Sequence, residues 1–141
     1  MAAAASAQSL IKRVAHVGIR VHSLARSRAF YSKLGFEFVV GPVGPEPVAI
    51  MKHPAGVEVN FILNANVAEA PNVLMDVADK HAGITHVALE VTNVDAMVEV
   101  LKAEDIPLSG GPNEYPKGAR GCFIRDPDRN TIEFYQPAPK L

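Results

Sequence analysis

Cysteine is nearly absent from this chain: Cys122 stands alone among 141 residues. One thiol excludes an intrachain disulfide and a thiolate zinc cluster, and it suits a reducing compartment, here expected to be the cytoplasm. Charge of one sign is lacking too. A formal net charge of −1 sets up no broad field to attract nucleic acid or an acidic membrane surface, so neither is an expected partner. No apolar run approaches the roughly 18 residues that a membrane-spanning helix needs. Residues 1–8 are alanine-rich but have no basic start, a poor signal peptide, and 1–11 are expected to be frayed. There is also no phosphate-cradling glycine loop, nucleophile elbow or serine-triad spacing. What is present is ordinary globular material. Apolar residues at 48% and charged ones at 21% suit one domain, or two half-domains sharing a core.

The chain repeats itself. THVALE at 85–90 echoes AHVGIR at 15–20, with His86 on His16 at an offset of 70 residues. At that offset Val17 meets Val87, Ile19 meets Leu89, Phe36 meets Ile106, and Gly41-Pro42 meets Gly111-Pro112, without a gap. One unit is written twice.

Each copy reads β-α-β-β-β. In the first, residues 12–21 alternate as a strand, Ser23 caps a helix that stops at Gly35, and strands follow at 36–40, 48–52 and 57–63. The glycine- and proline-rich 41–47 reads as a loop. In the second, a strand at 85–91 leads to a helix capped by Asn93. Val94, Met97, Val98 and Leu101 form its apolar stripe. Strands are expected at 106–109, 121–125 and 131–136, with a loop over 110–118. The expected organisation is thus α+β: module one at 12–63, a linker at 64–83, module two at 84–137 and a tail at 138–141. Each module leaves one sheet face bare, and two bare faces enclose a space for a ligand.

Strand alternation assigns residues to that space. The aliphatic faces belong to the helices, so His16, Asn60, His86 and Glu133 turn the other way. A single buried histidine is more often a hydrogen-bonded core residue. Two at the same place in two copies, with a carboxylate on the last strand, form a natural divalent-metal triad: His16, His86 and Glu133. Three protein ligands leave positions for water and substrate oxygens. Asn60 holds Glu133's place in copy one and reads as a fourth ligand or a pocket-lining residue; Glu58 shares its face as the fallback. Arg20, on the same strand face as His16, reads either as a holder of an anionic substrate group or as an exposed strand-end arginine. Tyr115 and Lys117 occupy the long loop of copy two, where a lid over substrate would sit. His22, His53 and His81 match nothing in the repeat and read as surface residues, and Cys122 as core filler.

AHVGIRVHSLARSRAFYSKLGFEF at 15–38, THVALEV at 85–91 and FIRDPDRNTIEF at 123–134 together resemble the vicinal oxygen chelate superfamily. Glyoxalase I, methylmalonyl-CoA epimerase, extradiol dioxygenases, fosfomycin-resistance thiol transferases and metal-free bleomycin-binding proteins belong to it. The resemblance implies paired βαβββ modules in a curved mixed sheet around a metal and substrate cleft, helices outside. It also implies a divalent ion (zinc, nickel, manganese or iron), a small oxygen-chelating substrate, and often a homodimer whose metal sites combine modules from two chains. His16 and His86 look like the family's first-strand ligands and Glu133 like its final-strand glutamate, a ligand and catalytic base. Arg20 stands where glyoxalase I-like sequences place an arginine against the glutathione moiety. Asn60 departs from the pattern, since glyoxalase I usually has glutamate there, and its loss removes one of two bases. The expectation is a glyoxalase-like isomerase or lyase. An extradiol-type dioxygenase or thiol transferase is the enzymatic rival, and a bleomycin-resistance-type binding protein the non-enzymatic one.

Overall fold

The computed structural model describes residues 4–65 and 71–140, so 66–70 of the expected linker lie outside the described residues. Two tandem modules of like order follow a short capped helix, α1 (Ala7–Leu10). Module one comprises β1 (Val17–Arg20), α2 (Leu24–Lys33), β2 (Glu37–Val43), β3 (Val48–Lys52) and β4 (Glu58–Ile62). Module two comprises β5 (His86–Glu90), α3 (Val94–Ala103), β6 (Gly110–Glu114), β7 (Arg120–Arg125) and β8 (Thr131–Gln136). Each forms its own four-stranded sheet, in the orders β1-β4-β3-β2 and β5-β8-β7-β6. The first strand of each module runs parallel to the last, and the other neighbours are antiparallel.

The local signals act as read. Ser23 Oγ accepts from the Arg26 N–H and Asn93 Oδ1 from the Ala96 N–H, which starts the two long helices. Gly35 follows α2 at φ 91°, a left-handed position that closes the helix without a Cβ penalty. The helices cover the aliphatic faces of the sheets. Tyr31 packs its ring 5.2 Å from Phe61 in module one, while Val94 and Leu101 join Ile124, Ile132 and Phe134 in module two. Cys122 is core filler as expected, wholly buried.

At the N-terminus Ser6 and Ser9 form a reciprocal capping box on α1, which is exposed throughout. Two strand expectations change. Gly41-Pro42 does not end β2, which runs on to Val43 through a register shift. A Cβ at Gly41 would stand 2.5 Å from Ala49 Cα, so the glycine marks a close backbone approach at a bulge on an edge strand. In copy two, 106–109 is not a strand; β6 begins at Gly110, inside the expected loop. Pro107 stands where Glu37 pairs with Lys52 in copy one, and it has no N–H to give a ladder.

The Asp126–Asn130 turn joins the modules. Tyr31 donates its hydroxyl to Asp126 Oδ2 at 2.9 Å, and Asp126 also takes the N–H groups of Asp128 and Asn130. Burial, before the neighbouring charge, pushes the Tyr31 phenol well above its usual range, so it remains a donor. Asp128 Oδ1 accepts from the His22 N–H at 3.2 Å and from Arg26 Nη2 at 3.0 Å. Asn72 of the linker donates to Asn130 Oδ1 at 3.1 Å and caps a short turn through the N–H groups of Leu74 and Met75. His22 is therefore no surface residue: its ring is also 3.8 Å from Asp128 Oδ1. His53 is half-buried, its Nδ1 accepting from the Ala55 N–H and its ring packing 5.2 Å from Phe36. His81 is exposed, as read.

Candidate metal and substrate site

The open face of module two carries a polar chain. Ladder register puts Glu133 between Ala88 of β5 and Phe123 of β7. Ala88 is small, so His86 reaches along that face until its Nε2 stands 3.3 Å from Glu133 Oε1. The other ring nitrogen, Nδ1, is 2.8 Å from Thr85 Oγ1. Tyr115 donates its hydroxyl to Glu133 Oε2 at 3.1 Å. Both carboxylate oxygens are engaged, which offsets the desolvation of a side chain only 11% exposed. Burial first, and then the hydrogen bond to Glu133, raise the Tyr115 phenol above its ordinary value.

Module one offers a looser set. His16 stands just ahead of β1, exposed, with Nδ1 3.8 Å from Glu58 Oε2; Glu58 Oε1 is 3.4 Å from Lys52 Nζ. Asn60 lies beside Gly18, where an added Cβ would meet nothing within 4 Å. Its Oδ1 is buried without a partner, an acceptor that lacks a donor or a cation. Arg20 donates Nε–H to Asn64 Oδ1 at 2.9 Å and stands 3.6 Å from Glu46 Oε1. Lys117 is exposed in a 3₁₀ turn, Pro116–Gly118, held shut by the Tyr115 N–H on the Ala119 carbonyl at 2.8 Å.

These donors can be tested against a divalent ion. Two ligands about 2.1 Å from one ion, at octahedral to tetrahedral angles, stand roughly 3.0–3.4 Å apart. The 3.3 Å between His86 Nε2 and Glu133 Oε1 fits. Thr85 Oγ1 can accept from Nδ1–H, which leaves Nε2 with its lone pair toward an ion. The pair could supply two ligands to an ion. Among the described residues of one chain, no three His, Cys, Asp or Glu side chains come together to hold a metal. The expected triad is thus present as His86 with Glu133, and apart from it His16 with Glu58.

A cavity of about 690 Å³ opens between the modules, against β1, β5, the linker and the Asp126–Asn130 turn. Arg20, His22, His86 and Asp128 are among its polar lining and Val17, Leu74 and Ile132 among its apolar lining; His16, Asn60, Glu133, Tyr115 and Lys117 do not line it. Sequence reasoning missed Thr85, Gly121 and the Tyr31–Asp126 link. Only the turn-forming DPDRN cluster hinted at the last.

A family model, described as the glyoxalase/bleomycin resistance protein/dioxygenase superfamily, matches residues 13–134. The chain belongs to this superfamily. Solved structures of like fold include a glyoxalase/dioxygenase from Nostoc punctiforme, with a TM-score of 0.73 and 21% identity over 99% of this chain and 100% of that one. A lactoylglutathione lyase from Agrobacterium tumefaciens matches at TM-score 0.66 and 19% identity, over 90% and 95% of the two chains. TnmS3, an antibiotic binding protein from Streptomyces sp. CB03234, matches at 0.68 and 20%, over 92% and 98%. One fold therefore serves both a lyase and a binder, and the site has to decide between them.

Proposed function

We propose that this superfamily member is a divalent-metal-dependent enzyme acting on a small substrate with adjacent oxygens, nearest to a glyoxalase-like isomerase or lyase. The observation that carries the reading is the 3.3 Å approach of His86 Nε2 to Glu133 Oε1 on the open face of module two. His86 and Glu133 of one chain would hold the ion together with His16 of a second copy, Asn60 Oδ1 or Glu58 completing the set. The exposed His16 and the separation of the two pairs support a homodimer as the working form. A bound divalent ion supplies Lewis acidity to the substrate oxygens. Glu133 takes and returns the proton beside the carbonyl, and Arg20 holds an anionic group of the substrate.

A second reading, a small-molecule binding protein, is favoured by one observation. The inter-module cavity is of ligand size and mixed lining, and it omits Glu133. Metal analysis separates the two. The enzyme reading expects a stoichiometric ion that His86→Ala abolishes, and turnover of the methylglyoxal–glutathione hemithioacetal. Wild type that takes up no zinc, nickel, manganese or iron would sink it and leave the binder. Oxygen uptake with catechols in place of hemithioacetal turnover would move the chemistry to the dioxygenase branch.

A further inference from the structure

Tyr115, expected in the loop that would cover substrate, also has close neighbours within module two. Three contacts fix it. Its hydroxyl lies on Glu133 Oε2 at 3.1 Å, its ring stacks on Tyr135 at 6.3 Å and 21°, and its backbone N–H closes the turn on Ala119. The seat exists because residue 121 has no side chain. A Cβ at Gly121 would come within 2.7 Å of Glu133 Oε2 and 2.8 Å of Tyr115 Cε2.

Copy one has none of this. Ladder register puts Gly121 opposite Tyr135 and Val48 opposite Ile62, so Val48 fills Gly121's place where Asn60 fills Glu133's. Its hairpin is shorter as well: Val43 pairs with Val48, whereas Asn113 pairs with Gly121, and Tyr115 lies in the added length. The seat and its tyrosine occur only beside the carboxylate.

We infer that Tyr115 is a positioning residue for Glu133: seated over Gly121, it occupies Oε2 and leaves Oε1 as the one carboxylate oxygen turned toward His86 and an incoming ion. This rests on the reading of His86 and Glu133 as metal donors. A carboxylate oxygen that already accepts a hydrogen bond is the weaker ligand, so Glu133 would bind the ion through Oε1 and a coordination position remains for substrate, while the second lone pair of Oε2 can still take a proton.

The test uses metal-free wild type, Tyr115→Phe, Gly121→Ala, Tyr135→Phe and His86→Ala, titrated with Mn²⁺ by calorimetry and loaded with Co²⁺ for visible spectra. Tyr115→Phe is expected to bind Mn²⁺ about 10–100-fold more weakly, the usual effect of losing a residue that orients a ligand. Its cobalt bands should shift as Oε2 becomes free to ligate, with an unchanged far-ultraviolet circular dichroism spectrum. Gly121→Ala should do the same, and Tyr135→Phe, which keeps the stacked ring, should match wild type. Tyr115→Phe with wild-type affinity and cobalt bands would overturn the inference, even if Gly121→Ala fails to fold. Wild type that binds neither ion overturns the metal reading itself. Loss of binding in His86→Ala alone leaves that reading standing and removes only the role of Tyr115.

Discussion

Tyr31 is 2% exposed yet ends in a hydroxyl, so the fold must supply an acceptor, and Asp126 of the other module does. Replacing Tyr31 by Phe removes one charge-assisted hydrogen bond while keeping the packed ring, an expected loss of about 1–3 kcal/mol by chemical denaturation. Asp126→Ala strands several buried donors at once and should cost about 3–5 kcal/mol. Equal losses for the two variants would show that the tyrosine contact is the only one that matters at this turn. Neither residue stood out in the sequence. Alternation and helical spacing tell which way a side chain points within its own element; they do not tell which distant loop it meets. His22 is the example, its partner being a turn over a hundred residues away. His86 and Glu133 were legible because their pairing depends only on strand parity and the repeat.

Among the elements, the linker turn after Pro71 shows how a stretch without periodicity is held. Asp76 takes Arg129 Nε–H at 2.7 Å and Arg125 Nη1–H at 3.3 Å. The hydrogen bond to Arg129, and then the charges of both arginines against the opposing effect of burial, hold the Asp76 carboxyl below its ordinary 3.8. Between that lowered value and 3.8 the unfolded chain binds more protons than the folded one, so stability rises with pH through the window. The contribution is complete above the ordinary value and lost as pH falls through the lowered one. Asp76→Asn should accordingly lower the thermal midpoint at neutral pH and flatten its fall on acidification; an unchanged acid limb would count against the pair. Element boundaries are less legible in the residues than element order. Helix caps announced themselves at Ser23 and Asn93, but β2 and β6 did not, because a Gly-Pro step looks the same in a loop and at a bulge on an edge strand.

At the scale of the whole molecule, the repeat made the architecture legible: a unit of known order written twice leaves few ways to pack. How the proposed metal centre would assemble is less legible, since strand parity orients a side chain without saying which copy of a module it will meet. A centre shared between chains has a testable consequence. His16→Ala and His86→Ala variants, each expected to bind no metal alone, should partly recover binding and turnover when unfolded and refolded together. Mixed dimers would then contain one intact centre, with His16 from one chain and His86 with Glu133 from the other. No recovery in mixtures proven by mass to contain the mixed dimer would confine the centre to one chain.

The two copies have also drifted apart where it matters. The open face of one presents Ile50, Ile62 and an amide around Asn60, that of the other Phe123 and an anion at Glu133. In a symmetric pair of chains every centre receives one wall of each kind, always in the same sense around the substrate. A pocket with such unlike walls has handedness, and it would distinguish mirror-image substrates by the side on which the acid lies.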